Sequence, residues 1–169
     1  MNRSALIVGA GSGLSSSLAV QCANLGMDVA LAARNIKKLE DLSIQTGASL
    51  HKCDASKIED VNHLFKNLDE KLGIPELVVY NPSSRLRGGI ETLDPEKTKE
   101  ALEVTCFGAF LVAQQATKRM LKRGSGSIFF TGASAGVKGF ANSSVFAMGK
   151  FGLRGLAQAL ARELHPKNI

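Results

Sequence analysis

The sequence predicts an α/β fold, a doubly wound parallel sheet with helices on both of its faces. Two observations predict it. Short apolar runs of strand length alternate along the chain with segments whose apolar residues recur at helical spacing. The apolar runs are nearly continuous, which is typical of parallel strands that are buried on both faces of a sheet. No segment rich in Pro, Gly and Ser divides the chain, so we expect a single domain over residues 1–169.

Three strands and three helices are predicted in the first half of the chain. Residues 5–8 are a short apolar run that ends in glycines, and they predict the first strand. The helix after it is indicated by apolar residues at helical spacing, namely Leu14, Leu18, Cys22 and Leu25. The run 29–33 predicts the second strand, and the side chain of Asn35 can cap the helix that follows. A weaker third strand is predicted over 49–53, and Ser56 is expected to begin the third helix.

The second half of the chain continues the alternation. Residues 77–80 predict the fourth strand, and a polar loop that contains glycines follows it. A capping aspartate followed by proline then begins a long helix, which we expect over 94–123. Residues 127–131 predict the fifth strand, and the last helix is expected over 143–164, where a His-Pro pair ends it.

Composition and charge narrow the class of protein. Apolar residues make up 44% and charged residues 21%, which is typical of a chain that buries a core. The formal charge of +6 fits either a basic surface or a partner that carries phosphates. One Tyr and no Trp give no stacking platform for bases, so no nucleic-acid partner is expected. No apolar run reaches the roughly 18 residues of a membrane span, so no membrane partner is expected either.

The cysteines indicate a reducing compartment. Cys22, Cys53 and Cys106 are odd in number and far apart, and they form neither a CxxC pair nor a cluster with histidine. We therefore predict no metal site and no disulfide framework, and a cytoplasmic location.

A glycine-rich loop lies between the first strand and the first helix. Glycines there permit positive φ and let backbone N–H groups approach a phosphate, and the helix N-terminus adds a partial positive charge. A strand before the loop and a helix after it favour a nucleotide site over a simple tight turn. The residues predicted to hold the phosphates are Gly9, Gly11, Ser12, Gly13 and Leu14.

The end of the second strand indicates which dinucleotide is bound. A carboxylate there would accept hydrogen bonds from the ribose hydroxyls and repel a 2′-phosphate. The sequence instead reads Ala32-Ala33-Arg34-Asn35, and the planar fork of Arg34 suits a phosphate. We therefore predict NADP rather than NAD, with Arg34 and Asn35 near the 2′-phosphate. The alternative is that Arg34 is only a solvated residue at a strand end.

These features together resemble the short-chain dehydrogenase/reductase family over essentially the whole chain. The resemblance rests on the glycine loop, Ala-Ala-Arg after the second strand, Cys53-Asp54 after the third, and the segments 79–83 and 146–153. It implies a Rossmann-type fold and further cofactor contacts. These are Asp54 and Ala55 against the adenine, Asn81, Pro82 and Ser83 along the cofactor groove, and Lys150 at the nicotinamide ribose.

The catalytic half of the family pattern is altered. The family transfers a hydride between the nicotinamide and a carbonyl or alcohol carbon, with a tyrosine four residues before the lysine as proton donor. That position is Phe146 here, and its ring cannot carry a proton. The family's serine falls on Ala133, with Ser134 beside it, and the asparagine that supports a water relay falls on Thr105. Tyr80 is the only tyrosine, and it fits a packed strand end better than a catalytic role.

Three functions remain open at this point. The chain can be an NADP(H)-dependent oxidoreductase for a small carbonyl or alcohol, with its proton donor moved to Ser134, Ser143 or Lys150. It can be an inactive NADP(H)-binding sensor or subunit, or an interaction module whose nucleotide loop is vestigial. The resemblance also implies a homodimer or homotetramer through the helices 94–123 and 143–164. Family members continue into a sixth strand, a substrate-covering segment and a seventh strand, so we expect the sequence to be C-terminally incomplete.

Overall fold

A computed structural model describes residues 3–169 of the chain. Five strands form one sheet: β1 (Ser4–Val8), β2 (Asp28–Ala33), β3 (Ser49–Lys52), β4 (Leu77–Tyr80) and β5 (Ser127–Phe130). Their order is β3-β2-β1-β4-β5, and every neighbouring pair is parallel. The chain thus builds outward from β1 to β3 and then crosses to the other side for β4 and β5. This doubly wound order confirms the predicted fold class.

Six α-helices connect and follow the strands in the described residues: α1 (Leu14–Asn24), α2 (Glu40–Thr46), α3 (Ile58–Lys71), α4 (Pro95–Leu102), α5 (Gly108–Arg123) and α6 (Ser144–Leu164). A 3₁₀ turn, Ile36–Leu39, precedes α2, and a π-helical turn, Glu103–Phe107, joins α4 to α5. The long helix predicted over 94–123 is therefore continuous in the chain but widens by one residue per turn in its middle. None of the helices within 3–169 is both long and apolar enough to cross a membrane.

Both faces of the sheet are covered by a hydrophobic core. Alternate residues of β1 point to opposite faces, so Leu6 joins one core and Ile7 joins the other. The first core includes Phe65 of α3 and Met120 of α5, and the second includes Leu39 ahead of α2. Each such fully buried side chain stabilises the fold by about 1.5–3 kcal/mol. The near-continuous apolar strands of the sequence follow from this double burial.

The predicted helix starts are confirmed at two places. The Asn35 side chain accepts a hydrogen bond from the Lys37 N–H at 3.2 Å, and Asp94 accepts one from the Lys97 N–H at 2.8 Å. Each bond satisfies an N–H group that has no partner within its own helix.

The predicted start of the third helix at Ser56 is wrong. The hydroxyl and the N–H of Ser56 both donate to the Asp54 carboxylate, at 2.8 and 3.0 Å. Ser56 therefore belongs to a turn after β3, and α3 begins only at Ile58. The last helix likewise begins one residue later than predicted, because Ser143 stands before it at the cap position.

Candidate functional site

The turn after β1 brings the ends of β1, β2 and β4 together. The N–H groups of Gly9 and Ala10 both donate to the Ala32 carbonyl, at 2.9 and 3.1 Å. Gly9 has a φ of +76°, and a Cβ on it would lie 2.6 Å from the ring of Pro82. Only glycine combines this backbone angle with this close approach. The turn and the segment after β4 thus form one tightly packed edge.

Ser15 lies in the first turn of α1, and its side chain ties the loop to the segment after β4. The Ser15 hydroxyl lies 3.3 Å from the Gly9 carbonyl and accepts a hydrogen bond from the Asn81 side-chain amide at 2.8 Å. Ser15 is buried and does not cap α1, whose cap position is Gly13 without any side-chain bond. The first N–H groups of α1 therefore meet no capping side chain, as a phosphate site at a helix N-terminus requires.

A cleft of about 410 Å³ opens at the carboxyl ends of the strands, and we call it the strand-end cleft. It brings together most of the cofactor residues predicted from the sequence, namely Gly9, Arg34, Asn35, Asp54, Ala55, Asn81, Pro82 and Ser83. The loop residues Gly11, Ser12, Gly13 and Leu14 lie outside its lining, as does Lys150. Lys38 also lines this cleft, and the sequence reasoning missed it. The sequence feature that could have indicated Lys38 is the pair of lysines in the 3₁₀ turn that Asn35 caps.

The strand-end cleft carries two exposed cations and one carboxylate. Arg34 and Lys38 are both exposed, and Asp54 is half-buried. Burial alone would raise the pKa of Asp54, but the hydrogen bonds from Ser56 and the charges of Arg34 and Lys57 outweigh it. The pKa of this carboxyl is therefore below its ordinary value, and Asp54 is ionised at neutral pH.

Lys150 and Phe146 lie one turn apart on the same face of α6. Lys150 is only 3% exposed, and its ammonium donates to the Thr131 carbonyl at 2.7 Å. The Nζ atom lies 5.9 Å from the centroid of the Phe146 ring. Burial lowers the pKa of Lys150, and the nearby charge of Arg85 lowers it further. The position of the missing tyrosine is thus directly beside a buried cation.

Thr105 lies in the π-helical turn and packs against α6. Its hydroxyl accepts a hydrogen bond from the Ser84 N–H at 3.0 Å, so it anchors the segment that follows β4. A Cβ on Gly149 would lie 2.9 Å from the Thr105 Cγ2, which shows how closely the π turn approaches α6. This contact places Thr105 near Lys150, the neighbour of Gly149 in the chain.

A second cleft, of about 420 Å³, lies beside Phe146, and we call it the substrate-side cleft. The two serines proposed as relocated proton donors, Ser134 and Ser143, line it together with Phe146. Arg85 and Arg87 also line it, and the Arg85 guanidinium lies 4.3 Å above the Phe146 ring. The sequence did not indicate either arginine. Both lie in a polar loop, where no periodicity of apolar residues predicts which way a side chain points.

Tyr80 is a packed residue at the end of β4. It is fully buried, its hydroxyl donates to the Val104 carbonyl, and burial raises its pKa above the ordinary value. This placement favours the structural interpretation of Tyr80. Within residues 3–169, no group of His, Cys, Asp or Glu side chains is placed to hold a metal ion.

The sheet order, the glycine turn and the strand-end cleft define a Rossmann-type α/β domain. The family model described as short chain dehydrogenase matches residues 3–169. The chain therefore belongs to the short-chain dehydrogenase family, a family of oxidoreductases that bind nicotinamide cofactors.

Known relatives and solved structures agree with this assignment. The 3-dehydrosphinganine reductase of Danio rerio is 29% identical, over 97% of this chain and 52% of its own length. The human 3-oxoacyl-[acyl-carrier-protein] reductase is 28% identical, over 100% of this chain and 72% of its own length. A short-chain dehydrogenase structure from Rhodopseudomonas palustris is 30% identical with a TM-score of 0.94, covering 100% of this chain and 82% of the other. The chain thus spans about half the length of the Danio rerio reductase.

Proposed function

We propose that this chain supplies the cofactor site of an NADP(H)-dependent oxidoreductase that acts on a small carbonyl or alcohol. The observation that carries the proposal is the pairing of the two clefts. The strand-end cleft gathers the predicted nucleotide residues, and the substrate-side cleft lies beside Phe146 and Lys150. Both relatives described above are named reductases, which favours reduction of a carbonyl group.

The strand-end cleft fits a dinucleotide. Gly9, with a φ of +76°, lines this cleft without a side chain that would occupy it. The N-terminus of α1, without a side-chain cap, supports binding of the diphosphate there. Asp54 and Ala55 border the adenine end, and Asn81 serves chiefly to hold the loop through Ser15.

The cations of the strand-end cleft favour NADP(H) over NAD(H). Arg34 follows β2 directly, and Lys38 lies one turn further along. No carboxylate stands at the end of β2 to bond the ribose hydroxyls, because the strand ends Ala32-Ala33 and the next residue is Arg34. We place the 2′-phosphate between Arg34 and Lys38, with Asn35 holding the turn between them.

The residues around Phe146 divide the chemistry between them. When bound, the nicotinamide donates or accepts the hydride. The ammonium of Lys150, held by the Thr131 carbonyl, would bind the nicotinamide ribose and would supply positive charge there. Ser134 and Ser143 line the substrate-side cleft, where a hydroxyl can hold a proton at the substrate oxygen. Thr105 positions the loop beside the cleft through its bond with Ser84.

One observation favours a second function, that of an inactive NADP(H)-binding subunit or sensor. Phe146 has no hydroxyl to exchange a proton, and the Arg85 guanidinium covers one face of its ring, 4.3 Å from the centroid. Loss of a general acid typically costs about two to four powers of ten in rate.

An apolar surface between the long helices favours a homodimer or homotetramer. A groove of about 740 Å³ lies between the α4–α5 helix and α6, and it includes Leu102, Phe107, Phe110 and Met148. The rings of Phe107 and Phe110 stack with centroids 6.2 Å apart, and both remain partly exposed. A second copy of the same chain would bury this surface. We further propose a cytoplasmic location, since the cysteines are free.

Substitution of the cleft cations tests the cofactor assignment. We expect Arg34→Ala and Lys38→Ala each to weaken NADPH binding about ten-fold, since each removes a charge-assisted bond to phosphate worth about 1.5–3 kcal/mol. Binding of NADH should change little. Titration of cofactor fluorescence measures both affinities. The matched control is Lys37→Ala, an exposed lysine of the same turn that does not line the cleft. Equal losses for both cofactors would overturn the 2′-phosphate assignment.

A further inference from the structure

The substrate-side cleft is unusually rich in positive charge. Arg85 and Arg87 both line it, and no Asp or Glu does. Lys138 lies at its rim, with its ammonium 5.1 Å from the ring of Phe140, another residue of the lining. The buried ammonium of Lys150 lies just beneath Phe146. Positive groups gathered around one small concave site create a strong local attraction for an anion.

The two arginines are not neutralised by the protein itself. Across residues 3–169, ion pairs involve Arg3 and Arg123 with Glu76 and Arg119 with Asp69, and none involves Arg85 or Arg87. The Arg85 guanidinium instead lies over the Phe146 ring, with its carbon 4.3 Å from the centroid, in a cation–π contact. A planar guanidinium edge is suited to bidentate bonds with carboxylate or phosphate oxygens.

The segment that carries both arginines is fixed at its two ends. The Ser84 N–H donates to the Thr105 hydroxyl at 3.0 Å, and the Gly88 N–H donates to the Asn142 carbonyl at 3.2 Å. The second bond joins the arginine segment to the opposite wall of the cleft, since Asn142 is also part of the lining. The backbone that carries the two arginines is therefore anchored beside the cleft before any ligand binds.

We propose that the substrate-side cleft binds an anionic oxygen group, a carboxylate or a phosphate, through Arg85 and Arg87. The substrate of the enzyme is accordingly a carbonyl or alcohol compound that carries a negative charge. That this anion is the substrate of a reaction rests on the proposed function, whereas the binding of an anion in this cleft does not. The cleft volume of about 420 Å³ suits a small molecule. Phe140 and Phe146 offer apolar surface for its carbon skeleton, and Ser134 and Ser143 offer hydroxyls for its reacting oxygen.

This anion site is distinct from the sites for the cofactor's phosphates. The strand-end cleft, with Arg34 and Lys38, shares no lining residue with the substrate-side cleft. The N-terminus of α1, at Leu14, is likewise absent from the lining of the substrate-side cleft. Substitution of Arg85 or Arg87 should therefore weaken the binding of an anionic substrate and leave the affinity for the cofactor unchanged.

Calorimetric titration of two matched probes tests the proposal. Benzoylformate carries a ketone and a carboxylate, and methyl benzoylformate has the same skeleton without the charge. The chain is saturated with NADP⁺, which cannot reduce a ketone, so binding is measured without turnover. We expect the affinity for benzoylformate to be at least about ten-fold higher than the affinity for the ester. Arg85→Gln and Arg87→Gln should each lower the affinity for benzoylformate about ten-fold and leave the affinity for the ester unchanged. Benzoylformate affinity should also fall with added salt.

Control titrations separate this proposal from the proposed function. Lys66→Gln removes an exposed lysine of α3 outside both clefts, and it should leave the affinities for both probes unchanged. Inorganic phosphate that competes with benzoylformate extends the site to phosphates, and failure to compete restricts it to carboxylates. Equal affinity for acid and ester, or no binding of benzoylformate at millimolar concentration, would overturn the anion site. The same titration without cofactor decides the matter even if NADP⁺ itself does not bind.

Discussion

Phe146 places an apolar ring where a proton donor would complete the family's reaction. The buried Lys150 Nζ lies 5.9 Å from the centroid of this ring, and the Arg85 guanidinium carbon lies 4.3 Å from it. A hydroxyl on this ring would thus be close to two positive charges. Such charges favour the phenolate and lower the pKa of a tyrosine at this position.

Restoring that hydroxyl should increase the rate of carbonyl reduction. We expect Phe146→Tyr to raise the rate of NADPH oxidation about 10²-fold, the lower end of the range for one general acid. A panel of carbonyl compounds, followed by the absorbance of NADPH, measures it. Phe140→Tyr is the matched control, since it adds a hydroxyl to the same cleft without standing one turn from Lys150. If Phe146→Tyr binds NADPH normally and gains no activity, the inactive subunit becomes the better interpretation.

Local chemistry made some of the site residues predictable from the sequence. Gly9 and Arg34 follow strand ends and act through backbone freedom or charge, which their residue types already indicate. Ser15 and Arg85 differ, because their contacts are with residues that are distant in the sequence. Ser15 accepts a hydrogen bond from Asn81, which is 66 residues away, and the loop residue Arg85 lies over the Phe146 ring of α6. No spacing rule within one segment reveals such partners.

At the scale of elements, the long helix between β4 and β5 is shaped by the strand it crosses. Its π-helical turn, Glu103–Phe107, lies where the chain passes Tyr80 and the loop after β3. Gly108 follows this turn, and a Cβ there would overlap the Tyr80 hydroxyl and lie 2.6 Å from the Ala55 carbonyl oxygen. The sequence predicted this helix but not the widening, since its cause is a contact with a distant strand.

A pair of glycine substitutions tests this packing. Gly108→Ala should lower the free energy of unfolding by about 1–3 kcal/mol, because the added methyl has no space against Tyr80 and Ala55. Gly155→Ala, in the exposed part of α6, meets no atom within 4 Å and should raise it by about 0.5–1 kcal/mol. Urea denaturation measures both. A neutral Gly108→Ala would show that helix and strand separate more easily than the structure indicates.

At the scale of the whole molecule, the apolar groove beside α6 is the feature that a monomer leaves uncovered. Phe110 is 43% exposed there, next to Phe107 and Met148. The fold itself was predictable from the alternating pattern, and five strands lie within a residue or two of their expected positions. A surface shared between copies leaves only single exposed apolar residues in the sequence, so the groove became evident only in the structure.

Charge placed in this groove should prevent assembly. We expect Phe110→Glu to shift the chain from dimer or tetramer to monomer, because association would bury an unpaired carboxylate. Sedimentation velocity measures the change. Ile44→Glu is the matched control, since Ile44 is 83% exposed on α2, outside the groove. A native chain that sediments as a monomer at micromolar concentration would contradict the proposed oligomer.

The central place of β1 in the sheet also governs the order in which the chain can fold. Ala5 pairs with Val29 on one side and with Leu77 on the other, so the earliest strand is not flanked on both sides until residue 77 has emerged. Closing a parallel pairing of that separation is slow, because chain entropy is lost before the contacts form. During synthesis, the edge of β1 that β4 will cover therefore stays unpaired until β4 has emerged, and an unpaired strand edge is prone to aggregate.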